Sequence, residues 1–382
     1  MRRLLPLALP LLAGPGPAAQ GPAPDEAAVV ANYTALVHAV YGDVEAAALE
    51  LQRALHAFVE APGEETLAAA RRAWIHSHAV YAPSEAFRFY GGPIDDLYYG
   101  SEELINGWPL DEAYIDYVAG DPGAGIINRV DVLPGFNRDS LVELNGRNGD
   151  KNLTAGYHAI EFLLWGQDLD PDGPGARSHL DYVDGGPAPN PDRRRRYLAI
   201  LADLLVERLQ GLTRSWQPGV ARNYAGRLRE GDAAEALRRI FTGIVMLGVD
   251  ELAAERMAVA YETRDQEDET SCFSDTTLKD LAGNARGIRY VYLGRYDAVE
   301  GPGLSALVAA VDPALDARIR SQLDASLAAV EAIPHPFDRT IQGPDDSAGR
   351  LRVLAAIEAL EAQSASLVEA AARLGVTLNL AR

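Results

Sequence analysis

The chain has 382 residues, 48% of them hydrophobic, and a formal net charge of −20 at pH 7. This length is more than one domain usually takes, and the hydrophobic content is enough for two cores, so we expect two domains. The excess of acidic residues argues against a nucleic-acid-binding protein, because phosphates require a basic surface, and it favours solubility and the attraction of cations.

The N-terminus has the pattern of an export signal. Arg2 and Arg3 precede an apolar segment over residues 4–13, and small residues follow over 14–19. The apolar segment is too short to span a bilayer, which takes about 20 residues, and no cysteine follows it to accept a lipid. We therefore expect a signal peptide over residues 1–24 and an exported protein of the periplasm or cell surface, with no transmembrane segment.

Apolar residues recur at spacings of three and four along the chain, whereas strand-like alternation is not seen. This pattern predicts an all-α protein with long antiparallel helices. One helical face consists of Val44, Ala48, Leu51, Leu55 and Phe58, and the next of Leu67, Ala70, Trp74, His78 and Tyr81, before Pro83. Further helices are predicted over 198–209, 240–249, 319–330 and 354–374, the last with Leu354 on its apolar face.

Residues 155–165 are apolar, aromatic or small except for His158 and Glu161. A helix with this composition is buried on nearly all sides. Asn152 or Thr154 can cap its start, and Gly166 can end it. Because a buried carboxylate needs a partner, and because the two side chains lie one turn apart, the pattern indicates a metal-ligand pair or an acid–base pair. A structural hydrogen-bonded pair is the alternative.

Two stretches rich in proline, glycine and aspartate, 170–176 and 185–192, indicate the domain boundary. We predict an N-terminal helical bundle over 25–185 and a C-terminal helical bundle over 186–382. The four arginines at 193–196 follow at the start of a helix, and in so acidic a chain they predict a solvated helix face.

Gly156, His158 and Glu161 also match G-x-H-x-x-E, the signature of the imelysin-like proteins. Two longer segments, 81–117 and 255–275, are similar to the branch of that family that includes iron-regulated protein A. The resemblance implies an exported protein of two helical bundles, with a site between them that the signature helix lines. It also implies a role in iron acquisition.

Within the matched segments, the resemblance makes Glu85, and after it Asp95, candidates for further metal ligands. Glu85 could instead pair with Arg88, and Asp95 could cap a helix. Arg256 and Asp275 are candidates to face the cleft and hold an anionic group or a ligand.

The chain departs from the branch pattern in the second half. Thr270, Thr276 and Leu278 stand where histidine, asparagine and histidine are usual. These departures put in doubt any metal contact from that loop.

We therefore expect a metal-binding protein that takes up or handles iron, with zinc or another divalent ion as an open choice. The expected partners are the metal ion or a metal complex and components of envelope uptake. A metallopeptidase is the first alternative, because the family was first described as peptidases; the chain, however, lacks H-E-x-x-H, in which two histidines bind zinc and the glutamate acts as base. The second alternative is a structural or interaction module without metal.

Overall fold

The computed structural model describes residues 25–96, 102–170 and 172–380, and in these ranges the fold is helical apart from one short hairpin. This confirms the predicted all-α class. The predicted signal peptide, residues 1–24, lies outside the described residues.

The α-helices of the first half differ greatly in length. The two longest helices bracket a set of short ones that surround the signature motif. They are α1 (Glu26–Glu60), α2 (Glu64–Tyr81), α3 (Glu102–Ile105), α4 (Glu112–Ile115), α5 (Gly125–Asn128), α6 (Arg138–Leu144), α7 (Tyr157–Trp165) and α8 (Pro191–Trp216).

The second half adds eight α-helices and the hairpin within the described ranges. They are α9 (Tyr224–Glu230), α10 (Ala233–Met246), α11 (Val259–Thr263), α12 (Thr277–Leu293), α13 (Leu304–Val311), α14 (Pro313–Glu331), α15 (Phe337–Gln342) and α16 (Ala348–Arg373), with strands β1 (Arg295–Tyr296) and β2 (Val299–Glu300) pairing antiparallel between α12 and α13. Short 3-10 helices lie at Ala82–Phe87, His179–Tyr182, Gln266–Asp268 and Cys272–Ser274.

A π-helical segment, Leu247–Ala258, joins α10 to α11 and makes one continuous helical stretch of them. Wide helical turns of this kind are rare and are frequently found at functional sites. Here the segment carries Glu251, Glu255 and Arg256 to the wall of a cavity. The predicted core helix over 240–249 falls on α10 and the beginning of this segment.

The described residues form two hydrophobic cores. The larger one combines side chains of α1, α2, α7, α8, α10 and α12, so that it draws on both sides of the predicted boundary at 185/186. The smaller one lies between the π-helical segment, α12, α14, α15 and α16. Helix α8 packs directly against α1, although the predicted boundary assigns the two helices to different bundles. The boundary between the two bundles therefore stays a prediction.

Helix α7 is buried along its whole length, as its composition predicts. It begins after Gly156, whose φ is +97°, and a Cβ at that position would lie 2.8 Å from the carbonyl oxygen of Ile105. Only glycine fits such a close approach at a positive φ. The predicted cap at Asn152 or Thr154 is therefore wrong, because the Thr154 hydroxyl instead donates to the Leu141 carbonyl at 2.7 Å. Gly166, with φ +74°, ends the helix as predicted.

Two other predictions fail for reasons of packing. The arginines at 193–196 do not form a uniformly solvated face, since Arg194 is fully buried and Arg193 is 9% exposed. Arg194 pairs with Asp116 instead. Leu354 is 37% exposed and does not belong to the buried face of α16.

Across the described ranges, no helix is both long enough and apolar enough to cross a membrane.

Candidate functional site

Helix α7 places His158 and Glu161 one turn apart on the same face. Nδ1 of His158 lies 2.9 Å from Oε2 of Glu161, and the two side chains are 2% and 0% exposed. Oε1 of Glu161 accepts two hydrogen bonds from Ser274, from the backbone N–H at 3.0 Å and from the hydroxyl at 2.7 Å. A loop of the second half of the chain thus holds the carboxyl group of Glu161, which belongs to the first half.

The free ring nitrogen of His158 distinguishes this pair from a closed structural contact. Among the described residues no hydrogen-bond partner reaches Nε2, and the imidazole lines a cavity. With Glu161 ionised, Nδ1–H donates to the carboxylate and Nε2 carries the free lone pair. This is how a carboxylate orients a histidine that binds a metal through its other nitrogen.

Burial controls the charge of both side chains. Burial raises the pKa of Glu161 well above its usual value, against the hydrogen bonds from Ser274. Burial, followed by the neighbouring charge of His78, lowers the pKa of His158 well below its usual value. Both shifts favour the uncharged forms of the pair, a neutral acid beside a neutral imidazole, when no cation is nearby. Neutral imidazole is the form that binds metals.

A second histidine lies beside the first. The ring centroids of His78 and His158 are 5.1 Å apart. Nδ1 of His78 lies 3.1 Å from a carboxylate oxygen of Asp280, and Nε2 lies 2.8 Å from the amide oxygen of Asn106. Burial alone would lower the pKa of His78, but Asp280 outweighs it and raises that pKa. His78 and Asp280 form an ion pair with no net charge.

The cavity next to His158 has a volume of about 360 Å³ and lies between residues 88–158 and residues 251–270. It is large enough for a small ligand, not only for an ion. Its ionisable wall consists of one histidine, two arginines and four carboxylates: His158, Arg88, Arg256, Glu102, Glu251, Glu255 and Asp268. Acidic groups are thus in excess around the free imidazole nitrogen.

A larger cavity of about 620 Å³ lies elsewhere, between residues 91–96 and residues 207–239, and the signature residues do not line it. Its size alone does not connect it with the chemistry of the motif. The smaller cavity is the candidate site because it contains the imidazole.

Glu85 lies in a clamp of two arginines and has no exposed surface. Its Oε2 accepts hydrogen bonds from Arg88 at 2.6 Å and from Arg256 at 2.9 Å, and its Oε1 accepts one from Asn106 at 3.3 Å. Burial would raise the pKa of Glu85, but the two arginines lower it to about 2. Both oxygens are thus occupied, and a role of Glu85 as a metal ligand stays a prediction.

The other predicted residues are divided between two places. Arg256 lines the cavity, where it also donates to Asn284 at 2.7 Å. Asp95 is half-buried, 3.6 Å from Arg88, and does not line the cavity. Asp275 lies in a separate group of carboxylates with Glu269 and Asp338. The structure therefore does not bring the predicted residues together in one place.

The positions that depart from the branch pattern have ordinary contacts. Thr270 lines the cavity and donates to Asp280 at 3.0 Å. Thr276 bonds to the Ser274 hydroxyl at 2.8 Å, and Leu278 packs against the smaller core. The threonine at 276 thus supports the serine that holds Glu161.

Sequence reasoning missed three residues of the site: Asn106, Ser274 and Asp280. Ser274 and Asn106 lie inside the matched segments, so the resemblance contained a signal for them. Asp280 faces His78 across the fold, and nothing in the sequence relates two positions 202 residues apart.

Comparison with known proteins agrees with this architecture. The chain is 28% identical over 336 residues to iron-regulated protein A of Synechococcus elongatus, a match that covers 86% of this chain and 80% of that protein. Its fold is similar to the crystal structure of a candidate iron-regulated protein A precursor from Parabacteroides distasonis, with a TM-score of 0.70, 20% identity and coverage of 94% and 97% of the two chains. An imelysin-like protein from Psychrobacter arcticum is similar with a TM-score of 0.63, 14% identity and coverage of 92% and 97%.

The family model described as imelysin, which carries the label peptidase M75, matches residues 37–367. The match extends from α1 into α16, so that it includes the signature helix, the cavity and the loop that holds Glu161. Because the model spans most of the chain, this protein belongs to the imelysin family.

Proposed function

We propose that this protein binds a metal ion in the cavity beside α7 and that Nε2 of His158 is one of the ligands. The observation that carries the proposal is a buried imidazole whose second nitrogen has no partner among the described residues and which lines a cavity with four carboxylates. Imidazole nitrogen and carboxylate oxygen together suit iron and zinc.

In this proposal Glu161 orients the imidazole. Its Oε2 lies 2.9 Å from Nδ1 of His158, while Ser274 occupies its Oε1. A carboxylate in this position fixes the tautomer of the histidine and makes it a stronger ligand. An arriving cation also favours the ionised form of Glu161, which burial otherwise disfavours.

The remaining ligands come from the cavity or from the incoming complex. Among the described residues, no group of three metal-ligating side chains that includes His158 has its ligand atoms within 4.8 Å of one another. This spacing favours a metal that keeps ligands of its own, either water or a chelating anion. Arg256, which lines the same cavity, offers a positive charge to such an anion.

The names of the related proteins favour iron as the metal. The Synechococcus protein and the Parabacteroides structure both carry the name iron-regulated protein A. Together with the export-signal pattern of residues 1–24, this supports a role in iron uptake or handling in the cell envelope. The partners would be other envelope components that deliver or receive the metal.

Metal analysis of the protein, purified without a histidine tag, tests the proposal. The protein is incubated with ferrous iron or zinc and desalted, and bound metal is measured by mass spectrometry. His158→Ala should lose the metal, whereas His56→Ala, which removes an exposed histidine bonded to Asp203, should keep it. Equal metal content in wild type and His158→Ala, with both proteins folded, would overturn the proposal.

A peptidase is the second candidate function, because the matched family model carries that label. It predicts that the protein cleaves a denatured polypeptide and that a chelator or His158→Ala abolishes cleavage. The sequence has no H-E-x-x-H, so no zinc site of that common type supports this function. If the protein binds metal but cleaves no polypeptide, the peptidase function is excluded and only the metal-binding function remains.

A further inference from the structure

A group of carboxylates outside the cavity lies close enough together to share one ion. Glu269, Asp275 and Asp338 each offer an oxygen, and these atoms all lie within 4.8 Å of one another. Glu269 and Asp338 are each 1% exposed, and Asp275 is half-buried. They come from two elements distant in sequence, since Asp338 belongs to α15 and the other two flank the turn Cys272–Ser274.

Within the part of the chain that the structure describes, no cation balances the burial of these carboxylates. Both oxygens of Glu269, both oxygens of Asp338 and Oδ1 of Asp275 are buried and accept no hydrogen bond of good geometry within the described residues. The Thr277 hydroxyl acts on Glu269 and backbone N–H groups of α15 act on Asp338, but these are neutral groups and supply no positive charge. Asp168, whose charge acts on both Glu269 and Asp275, adds a further buried oxygen, Oδ2, without a partner. In the described ranges, no arginine, lysine or histidine forms an ion pair with any of the four.

This arrangement is unusual because burying a carboxylate without a cation beside it is energetically costly. Elsewhere in the chain, buried acids are paired with cations: Glu85 has two arginines and Asp280 has His78. Glu269 and Asp338, which are each 1% exposed and lie close to one another, therefore have no cation beside them among the described residues.

From this geometry we infer that Asp168, Glu269, Asp275 and Asp338 form a second cation site, which binds a hard divalent ion of the calcium and magnesium class. The donors are all carboxylate oxygens, without nitrogen or sulfur, and such sets select hard cations. Calcium takes six to eight oxygens at about 2.3–2.6 Å, so four carboxylates and a few waters complete its shell. The half-buried Asp275 leaves a side from which water can enter.

The ion would connect parts of the chain that are far apart in sequence. Asp168 follows α7, Asp338 is in α15, and Gln266 already donates to the Asp168 carbonyl at 2.6 Å. Asp275 is also the residue next to Ser274, which holds Glu161. A bound ion therefore fixes the loop that supports the signature helix, although the site shares no ligand with the cavity.

Calorimetry and thermal unfolding of tag-free protein, stripped with EDTA and desalted, test this site with CaCl2, MgCl2 and ZnCl2 as separate probes. Calcium or magnesium should raise the melting temperature and give a saturable heat of binding. Asp338→Asn and Glu269→Gln should lose both effects. Asp324→Asn, a change at an exposed surface pair, is the matched control and should keep them.

The same measurement on His158→Ala separates this inference from the proposed function. The variant should bind calcium or magnesium as the wild type does, even when it no longer binds iron. The inference is overturned if none of the three ions binds, if zinc alone binds, or if Asp338→Asn responds as the wild type does. Circular dichroism of each variant shows that a lost response is not a loss of fold.

Discussion

Two groups of buried carboxylates in this protein differ in whether an arginine lies beside them. Asp116 is fully buried between two arginines: its Oδ2 accepts from Arg177 at 2.5 Å and from Arg194 at 2.7 Å, and its Oδ1 accepts from Arg194 at 2.8 Å. Glu269 and Asp338, just as deeply buried, have no such partner among the described residues.

The electrostatics of the two groups differ accordingly. Burial would raise the pKa of Asp116, but Arg177 and Arg194 outweigh it and hold that pKa below its usual value. Burial raises the pKa of Glu269 well above its usual value and that of Asp275 to about 7, and neighbouring carboxylates add to both effects.

Buried acids with arginine partners stabilise the fold, whereas those without a cationic partner among the described residues are the ones that we propose bind metal. Where the chain needs only a rigid contact, it supplies the cation itself in the form of an arginine fork. Where it leaves the acid without a cation among the described residues, our proposals assign the missing charge to a bound metal ion. The pair of His158 and Glu161 belongs to the second group, because no arginine approaches the buried carboxyl of Glu161 within the described residues.

The largest effect is expected from Asp116→Asn. The variant leaves two buried guanidinium groups without their anion, and this should cost about 3–5 kcal/mol in the free energy of unfolding. Urea denaturation measures it, with Asp184→Asn as the control, since Asp184 forms an exposed pair with Arg195. A loss of stability as small as that of the control would contradict the conclusion that the arginine pairs of Asp116 stabilise the fold.

The pH dependence of this difference follows from the lowered pKa of Asp116. Its contribution is fully present above the ordinary carboxyl pKa of about 4 and is lost as the pH falls through the lower value in the folded protein. The difference in stability between wild type and Asp116→Asn should therefore shrink as the pH is lowered from 6 to 3, which is measured by urea denaturation at each pH.

A smaller loss is expected from Glu85→Gln, which opens the second arginine clamp. Arg88 keeps Glu102 at 3.1 Å, and Arg256 keeps Glu251 at 3.1 Å, so neither guanidinium is left alone. The cost should be about 2 kcal/mol, the size of one hydrogen bond to a charged group. If Glu85 is instead a metal ligand, iron binding falls together with stability, and metal analysis of the variant decides this.

Glu161→Gln tests the orienting role of the carboxyl group. Glutamine has the shape of the neutral acid, so stability in the absence of metal should hardly change. It cannot pair with His158 as an anion, however, and metal affinity should fall by about tenfold or more, or about 1.4 kcal/mol. Titration with iron, followed by metal analysis, measures the change; unaltered affinity would contradict the role.

The smallest effect, and one of opposite sign, is expected from Asp338→Asn without a cation. The substitution removes a buried carboxyl group whose charged form burial disfavours, so the metal-free protein should gain about 1 kcal/mol in stability. Urea denaturation in EDTA measures this gain. A loss of stability in EDTA would mean that Asp338 already has a partner inside the protein.

The sequence by itself determined the helices and the signature. Periodic apolar residues define α1, α2, α8, α14 and α16, because a helix that packs on one side needs an apolar stripe at that spacing. The buried character of α7, and the pairing of His158 with Glu161, follow from local sequence because the two residues lie one turn apart.

Only the tertiary structure decided which distant groups meet. Whether an arginine is solvated or buried depends on a carboxylate elsewhere in the chain, so the run at 193–196 could not reveal that Arg194 reaches Asp116. In the same way, the contact of Ser274 with Glu161 and the meeting of Glu269 with Asp338 depend on how helices of the two halves pack. Side-chain spacing determines contacts within a helix, whereas contacts between elements depend on the whole packed arrangement.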